Sequence, residues 1–286
     1  MSTQVTTAFV QQYSANVQML SQQMGSRLRD AVRVESITGK NAFFDQIGQA
    51  TAQKRTTRHG DTPQMDTPHA RRRVSLVDYE YADLVDDQDK IRMLIDPTSS
   101  YAMAAAAAMG RAIDDEIIAA ATGTAFTGET GSTSTALPSG NQIAAGGTDL
   151  TLTKLRDAKK ILDLADVDPS IPRYIACGPE QIDSLLGDTN VTSADFNTIK
   201  ALVQGDVNQF MGFNFIVTNR LAKSGDDRTC FAWAEDGIAL AVGKDVNARI
   251  DERADKGYAT QVYYCMSVGA TRMEEDKVVS IVCDES

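Results

Sequence analysis

One long helix is the strongest constraint that the sequence places on the fold. In the segment DPTSSYAMAAAAAMGRAIDDEIIAAATG, Asp96 suits the N-cap, Pro97 suits the first helical position, and Gly123 suits the C-terminal end. An apolar stripe follows at four-residue spacing and consists of Met109, Ile113 and Ile117. We predict a helix over about 97–122, which is roughly 37 Å long at a rise of about 1.5 Å per residue. Because residues 104–108 are all alanine, another backbone can approach its middle closely.

The rest of the chain predicts an α+β body. Alternation of apolar and polar side chains in VSLVDYEYADLVD, which begins at Val74, predicts a strand. The Gly-, Ser- and Thr-rich residues 123–150 predict a long surface excursion or a flexible hairpin. A helix, a strand and a second helix follow in TLTKLRDAKKILDLADVDP, RYIACG and PEQIDSLLG. The last third predicts strands at GFNFIVTN, TCFAWA, IALAVG and VNARIDERAD and two more within YATQVYYCMSVGATRMEEDKVVSIVCD, so we expect mostly antiparallel sheets.

Charge is distributed unevenly along the chain. The 28 Lys and Arg against 39 Asp and Glu give a formal net charge of -11, which disfavours wrapping of nucleic acid by the average surface. Residues 54–73 nevertheless concentrate six cations, namely Lys54, Arg55, Arg58, Arg71, Arg72 and Arg73. Residues 50–73 have almost no large apolar side chain apart from Met65, so we expect no core of their own. They are either disordered or ordered by a partner.

Both histidines of the chain, His59 and His69, lie in this basic segment with Asp61 and Asp66. These residue types bind metals, but the intervening prolines give no preorganised cage, so we expect neither a metal nor another cofactor. The glycine-rich phosphate-binding, nucleophile-elbow, HExxH and CxxC signatures do not occur. A histidine-based catalytic site would rest on the least foldable part of the chain, so we predict that the protein is not an enzyme.

The consecutive arginines at 71–73 raise the question of nucleic-acid binding. Arginine binds phosphate in a bidentate manner, which leaves a phosphate or DNA site open. Aromatic residues make up only 6% of the chain and none lies between Arg55 and Arg73, so the stacking platform of a single-strand binder is missing. We therefore favour a subunit contact for this segment.

An acidic run overlaps the end of the predicted strand that begins at Val74. It consists of Asp83, Asp86, Asp87 and Asp89 in DLVDDQDK, with Glu80 just before it. A calcium loop needs alternating ligands and a turn glycine, and this run has no glycine. We expect a solvated acidic face that complements the basic segment of a neighbouring copy.

The cysteines and the chain start indicate a cytoplasmic environment. The cysteines at 177, 230, 265 and 283 form no CxxC pair and are too sparse for a disulfide framework, so a reducing cytoplasm fits best. We expect them on strands as small apolar residues. The segment MSTQVTTAFVQQYSANVQML lacks a signal-peptide pattern, and no apolar run approaches the length of a membrane span, which predicts no membrane partner. A helix-compatible spacing runs from Phe9 through Met24 to Leu28.

The order of these parts resembles the major capsid proteins of tailed phages, which have the HK97-type coat fold. IDPTSSYAMAAAAAMGRAIDDEIIAAATG is similar to the family's spine helix and its approach, and RYIACGPEQIDSLLGD is similar to the strand and helix that open the apical domain. GDVNQFMGFNFIVTNRL resembles an apical segment in which a glycine-rich turn leads to a strand. DVNARIDERADKGYATQVYYCMSVGATRMEEDKVVSIV resembles the return through the peripheral domain. The likeness covers nearly the whole chain and rests on the order and spacing of the parts.

The resemblance implies a division of the chain into five regions. These are an N-terminal arm at 1–45, an extended E-loop at 46–77, a peripheral domain with the spine helix at 78–128, an apical domain at 129–245 and return strands of the peripheral domain at 246–286. In this family the E-loop reaches over an adjacent subunit. The implied contact residues of the loop are Lys54, Arg55, Arg58, His59, Arg71, Arg72 and Arg73. The proposed acidic counterpart consists of Glu80, Asp83, Asp86, Asp87 and Asp89.

For function, the resemblance implies a subunit that assembles as hexamers and pentamers into an icosahedral shell around the double-stranded DNA of a tailed bacteriophage. Assembly would take place in the host cytoplasm with a separate scaffolding protein, a portal protein and a decoration protein, and DNA contact would be weak and non-specific. Two alternatives stay open. One is an encapsulin-like compartment shell, which the long Gln-, Ser- and Thr-rich N-terminal region disfavours. The other is a monomeric acidic binding protein or enzyme with a flexible basic loop.

Some members of the family cross-link a loop lysine to an asparagine of a neighbour, assisted by a glutamate. Lys54 is the only lysine in the predicted loop, and no asparagine or glutamate can be matched, so we predict no such cross-link. The charge hypothesis further predicts that Arg71→Glu combined with Arg72→Glu leaves secondary structure intact and prevents particle formation.

Overall fold

The fold is a mixture of helices and strands, as the sequence predicts. The structure, a computed structural model, describes residues 21–58, 61–62, 64–86, 98–187 and 209–286. The α-helices within these residues are α1 (Thr98–Thr122), α2 (Leu152–Leu164) and α3 (Pro179–Gly187). The strands are β1 (Arg33–Ser36), β2 (Asn41–Ile47), β3 (His69–Ser75), β4 (Val77–Val85), β5 (Ala125–Thr127), β6 (Thr133–Thr135), β7 (Gln142–Ile143), β8 (Arg173–Cys177), β9 (Gln209–Phe210), β10 (Phe213–Val217), β11 (Lys223–Ser224), β12 (Asp227–Ala234), β13 (Ile238–Arg253), β14 (Ala259–Arg272) and β15 (Val278–Asp284).

Helix α1 occupies the predicted position. Its apolar stripe is buried, and the exposed fractions of Met109, Ile113 and Ile117 are 3%, 2% and 0%. The helix ends where the Gly123 amide donates to the Ala119 carbonyl at 3.0 Å. The predicted cap at Asp96 and Pro97 lies outside the described residues. Of the helices that the structure describes, none is long and apolar enough to cross a membrane.

Residues 21–28 are not helical, so the helix predicted through Met24 and Leu28 is wrong at that end. The earlier residues of that pattern lie outside the described part of the chain. Gly25 has a φ of 79°, a left-handed conformation that interrupts a helix. The Asp114 carboxylate accepts hydrogen bonds from the backbone N–H groups of Arg27 and Leu28 at 3.1 Å. These amides are therefore satisfied without helical bonding.

The described residues form two compact units. The first contains 21–26, 78–86, 98–112 and 244–267, and the second contains the described residues of 27–77, 113–243 and 268–286. Helix α1 and strands β13 and β14 each contribute residues to both units.

The second unit is built around a sheet of order β7-β15-β12-β8-β10-β9, with β11 also paired to β12. Strand β12 pairs antiparallel with β15 and β8, whereas the β8–β10 and β15–β7 pairs are parallel. The sheet is therefore mostly antiparallel, as predicted. Its fully buried side chains include Ile175, Phe231, Trp233 and Ile281, and α2 buries Leu155, Ala158 and Leu162. Each large apolar side chain buried in this way stabilises the unit by about 1.5–3 kcal/mol.

Strand β13 is longer than the sequence predicts. Separate strands were expected at IALAVG and VNARIDERAD, but the structure joins them into one strand, because Gly243 at the junction continues the extended backbone. The first part of β13 pairs in parallel with β1, from Arg33↔Ala239 to Ser36↔Val242.

The Gly-, Ser- and Thr-rich residues 123–150 are partly packed. Strands β5 and β6 pair antiparallel, which confirms the hairpin alternative. Leu137 and Leu150 are only 6% and 1% exposed, so the segment is not wholly a surface excursion. These buried leucines pack the segment into the second unit, which its small polar residues cannot do.

Strands β2 and β3 form an antiparallel hairpin, and residues 48–68 connect them. The register runs from Asn41↔Ser75 to Ile47↔His69, and the Gly48 amide donates to the Pro68 carbonyl at 2.8 Å. The connecting residues that the structure describes contain no helix or strand and are nearly all exposed. The prediction of a segment without a core is confirmed for these residues. It is wrong for residues 69–73, which belong to β3.

A buried ion cluster fastens the base of this hairpin to the turn that follows β14 in the same unit. The Arg72 side chain on β3 is only 7% exposed and forms an ion pair with Glu275. Its Nε donates to the Met273 carbonyl at 2.8 Å, and Gln46 on β2 donates to the same carbonyl at 2.6 Å. Both strands of the hairpin are therefore bonded to one turn.

Arg272 joins the end of α1 to the same turn. Its buried guanidinium donates to the carbonyls of Ala121 at 3.1 Å and Gly123 at 2.7 Å, which places a cation at the negative end of the helix. Its Nε lies 3.7 Å from Glu275 Oε1. Burial is the largest influence on the pKa of Arg272 and lowers it, whereas Glu275 raises it and Arg72 lowers it further. One carboxylate therefore serves two buried guanidinium groups.

A second cluster forms around Glu285, the residue that directly follows β15. The Glu285 carboxylate pairs with Arg228 and, at 2.5 Å, with Lys223. It also accepts a hydrogen bond from Gln181 Nε2 at 3.0 Å. These donors lower the pKa of Glu285 to about 2, and the hydrogen bond from Arg228 contributes most.

We expect Glu275→Gln to lower the free energy of unfolding by about 3 kcal/mol, because it leaves Arg72 and Arg272 buried without a counter-charge. Arg71→Gln removes an exposed ion pair with Asp45 instead and should leave stability unchanged. Urea unfolding of the unassembled chain, followed by circular dichroism, measures both variants. A Glu275→Gln midpoint equal to that of the unchanged chain would contradict the role assigned to the cluster.

The Glu285 cluster predicts a pH dependence of stability. Because the pKa of Glu285 is about 2 in the folded chain against an ordinary value of 4.5, the ionised carboxylate stabilises the fold. This contribution is fully present above the ordinary pKa and is lost as the pH falls toward about 2. The difference in unfolding free energy between the unchanged chain and Glu285→Gln should therefore shrink over that range. A difference that stays constant as the pH falls would refute the assignment.

Candidate subunit interface

The predicted interface cations lie in two parts of the β2–β3 hairpin. We call the connection between the strands, residues 48–68, the tip, and the paired strands β2 and β3 the base. Lys54, Arg55 and Arg58 are exposed in the connection between the strands. Arg55 Nε donates to the Thr57 carbonyl at 3.0 Å, and no carboxylate in the described part of the chain pairs with any of the three cations. His59 lies outside the described residues. The tip therefore presents positive charge to solvent.

Arg71 lies at the base of the hairpin on its exposed face. Its Nε donates to Asp45 Oδ1 at 2.6 Å, and this hydrogen bond lowers the pKa of Asp45 and raises the pKa of Arg71. The guanidinium also lies 5.5 Å from the centre of the Phe43 ring. Because Arg71 and Asp45 are exposed, the pair stabilises little and Arg71 remains accessible to a second molecule.

Arg72 and Arg73 are successive residues of β3 and therefore lie on opposite faces of the strand. Arg72 is buried in the ion cluster, where Glu275 of the same chain neutralises it. The Arg73 guanidinium lies 4.7 Å from the centre of the Phe126 ring. A subunit contact through Arg72 stays a prediction. Its burial makes Arg72 the least accessible of the predicted interface cations that the structure describes.

Two phenylalanines beside the arginines were missed by the sequence analysis. The register places Phe43 of β2 and Phe126 of β5 opposite Arg73. No aromatic residue lies between Arg55 and Arg73 in the sequence, but strand pairing brings these two aromatic rings beside the arginines from other strands. Exposure alternates along β2 in the folded chain, but the sequence NAFFDQI does not alternate between apolar and polar side chains, so periodicity gave no signal for this strand.

Three of the four candidate metal ligands of the basic segment lie in the described part of the chain, and His59 does not. His69 starts β3 opposite Ile47, and Asp61 and Asp66 lie in the exposed connection. Within the described ranges, no group of three or more His, Cys, Asp or Glu residues is arranged to hold a metal ion.

The four cysteines all lie on strands and are free, as predicted. Cys177, Cys230 and Cys283 are buried. Burial raises the pKa of the Cys177 thiol to about 12, and a hydrogen bond with Cys283 is the main cause that raises the pKa of Cys230. Cys265 differs from them because it is partly exposed.

The acidic counterpart is centred on β4. Glu80 is exposed and accepts a hydrogen bond from the Tyr263 hydroxyl at 3.0 Å, which is the main cause that raises the pKa of Tyr263 to about 12. Asp83 accepts a hydrogen bond from the Tyr81 hydroxyl at 3.3 Å. Burial is the main cause that raises the pKa of Tyr81, and Asp83 adds to it.

Other acidic residues extend this strand. Asp86 is exposed just beyond it, whereas Asp87 and Asp89 lie outside the described residues. Asp78, which accepts a hydrogen bond from the Ser267 hydroxyl, was missed, although its two-residue spacing from Glu80 is a signal for the same face. No lysine or arginine among the described residues pairs with Asp78, Glu80, Asp83 or Asp86. The strand and the hairpin tip are therefore opposite in charge.

Comparison with solved structures reveals the same fold in phage capsids. The capsid of the cyanophage P-SCSP1u is 18% identical with a TM-score of 0.78, over 100% of this chain and 96% of that chain. The capsid of Ralstonia phage GP4 is 11% identical with a TM-score of 0.75, over 98% and 96% of the two chains. The capsid of Helicobacter pylori bacteriophage KHP30 is 11% identical with a TM-score of 0.72, over 97% and 96%.

A comparison with curated proteins finds no match. A family model described as "Phage capsid protein" matches residues 5–285, which is nearly the whole chain. The chain therefore belongs to the phage capsid protein family and is a structural subunit of a capsid shell.

Proposed function

We propose that the chain assembles as hexamers and pentamers into an icosahedral shell that encloses the double-stranded DNA of a tailed bacteriophage. The observation that carries the proposal is the family match over residues 5–285. The function is mechanical, so we propose that the protein catalyses no reaction. The arm at 1–45, the E-loop at 46–77, the peripheral domain at 78–128 and 246–286 and the apical domain at 129–245 form part of the same proposal.

The proposal also includes partners of the shell, of which the decoration protein is not required for closure. These are further copies of the chain, a separate scaffolding protein, a portal protein, a decoration protein and the packaged DNA. The net charge of -11 favours weak, non-specific contact with DNA, because DNA is itself densely anionic. Free cysteines favour assembly in the reducing cytoplasm of the host bacterium.

Within the shell, the hairpin tip of one copy contacts the acidic β4 strand of a neighbour. Lys54, Arg55 and Arg58 are exposed, and the described residues of the same chain supply no carboxylate to them. Asp78 and Glu80 are exposed and have hydroxyl partners instead of cations. Complementary charges at the rim of an interface set its register and its specificity. The many symmetric repeats of a shell then multiply a weak contact.

The burial of Arg72 means that the loop contact has to be tested with substitutions at other residues. The expectation that Arg71→Glu with Arg72→Glu leaves the fold intact is replaced, because Arg72 is buried against Glu275 and its reversal would place two carboxylates together. Substitutions at the exposed tip avoid this disturbance.

We expect Lys54→Glu combined with Arg55→Glu to prevent closed particles while leaving the circular dichroism spectrum unchanged, because both side chains are exposed and only intersubunit charge is altered. The measurement is negative-stain electron microscopy of the nuclease-treated high-speed pellet from cells that express the chain with the other head proteins of its phage. Arg156→Glu with Lys160→Glu, an equal charge change on exposed positions of α2, is the matched control and should still give particles.

Introducing Asp78→Lys and Glu80→Lys into the tip variant should restore closed particles. Normal particles from the tip variant alone would reject the loop contact and leave the shell proposal standing. A soluble single chain from the unchanged sequence, in the presence of all the head proteins, would reject the shell proposal itself.

A further inference from the structure

A row of reactive side chains crosses the strands of the first unit. Glu80 on β4 accepts a hydrogen bond from the hydroxyl of Tyr263 on β14 at 3.0 Å. Two residues further along β14, Cys265 lies on the same face as Tyr263. Lys244 on β13 donates from Nζ to the Cys265 Sγ at 3.1 Å. A thiol and an amine are therefore in direct contact at the end of this row.

We propose that Lys244 and Cys265 form an intrachain sulfenamide cross-link when the protein meets a peroxide oxidant. The site is a modification site independent of shell assembly, and its co-reactant is hydrogen peroxide. The Nζ to Sγ separation of 3.1 Å is within the range of a near-attack arrangement of two reacting atoms. The lysine side chain is flexible and exposed, so the bond can close without movement of the backbone.

The reaction has two steps. The Cys265 sulfur attacks one oxygen of hydrogen peroxide, the O–O bond breaks, and the leaving hydroxide takes the thiol proton as water, which leaves a sulfenic acid. The neutral amine of Lys244 then attacks this sulfur, the S–O bond breaks, and the departing hydroxide takes an N–H proton as a second water. Sulfur loses two electrons in total and the peroxide gains them. One thiol, one amine and one peroxide thus give one S–N bond and two waters.

Exposure distinguishes Cys265 from the other thiols of the chain. Cys177, Cys230 and Cys283 are each 0% exposed within the sheet of the second unit. Cys265 is partly exposed, and Lys244 beside it is exposed, so a small oxidant can reach the pair. Cysteine oxidation follows exposure and thiolate character, and buried structural cysteines are inert. The three buried thiols are therefore internal controls.

The cross-link would join β13 to β14 across the first unit. These strands are consecutive in the chain, and the bond would enclose the turn between Arg253 and Ala259. A covalent tie between neighbouring strands restricts their separation in the unfolded and partly opened states. Oxidation would thereby stabilise this unit after synthesis, and a thiol reductant would reverse it.

The test treats the purified full-length chain with hydrogen peroxide in mildly alkaline buffer and compares it with the untreated chain by intact mass and non-reducing tryptic mapping. We expect a loss of two hydrogens, loss of tryptic cleavage after Lys244, and a linked peptide pair that contains Lys244 and Cys265. Dithiothreitol should reverse all three changes. The thiols of Cys177, Cys230 and Cys283 should remain unmodified. Because Cys230 lies on the tryptic peptide that ends at Lys244, fragmentation of the linked pair should place the bond on Lys244 and leave the Cys230 side chain unchanged.

Lys244→Arg is the matched control, because it keeps the positive charge and removes the amine that condenses. In this variant Cys265 should stop at the sulfenic acid and be captured by dimedone, whereas the unchanged chain should give little adduct. Equal dimedone capture in both proteins without a linked peptide would overturn the proposal. Equally fast oxidation of the buried cysteines, or a linked pair that has gained an oxygen, would also overturn it.

Discussion

The shared use of one carboxylate by two buried arginines is the interaction on which the second unit depends. Glu275 pairs with Arg72 at the base of the β2–β3 hairpin and lies close to Arg272, which also bonds the last carbonyls of α1. Removing one member of such a buried set costs far more than removing an exposed pair, because an uncompensated charge remains. The hairpin is therefore fixed at its base, while its connecting residues extend without a core.

This arrangement separates anchoring from contact within a short stretch of sequence. Arg72 anchors, Arg71 and Arg73 lie against phenylalanine rings, and Lys54, Arg55 and Arg58 remain exposed. Six cations that look equivalent in the sequence therefore have different structural environments. A shell subunit needs both properties, because a contact arm that moved freely at its base would pay a large entropy cost each time it docked on a neighbour.

Much of this fold was predictable from local patterns. The C-terminal end of α1 and the helix that starts at Pro179 follow from capping residues, and β4 follows from alternating side chains, because these signals act over a few residues. The position of Arg72 was not predictable, because its partner Glu275 lies far away in the chain. The phenylalanines beside Arg71 and Arg73 were hidden for the same reason. The helix predicted through Met24 and Leu28 does not form at that end, because the N–H groups of residues 27 and 28 donate hydrogen bonds to the Asp114 carboxylate instead. The sequence gives no sign of this distant acceptor.

A cryo-electron microscopy reconstruction of closed particles, made from this chain and the other head proteins of its phage, tests the central claim most directly. We predict that the hairpin base retains the contacts of Arg72 with Glu275 inside its own chain, while residues 54–58 lie against the acidic β4 strand of an adjacent copy. A map in which the connecting residues fold back onto their own subunit, with no neighbour within reach of Lys54 or Arg55, would contradict the account.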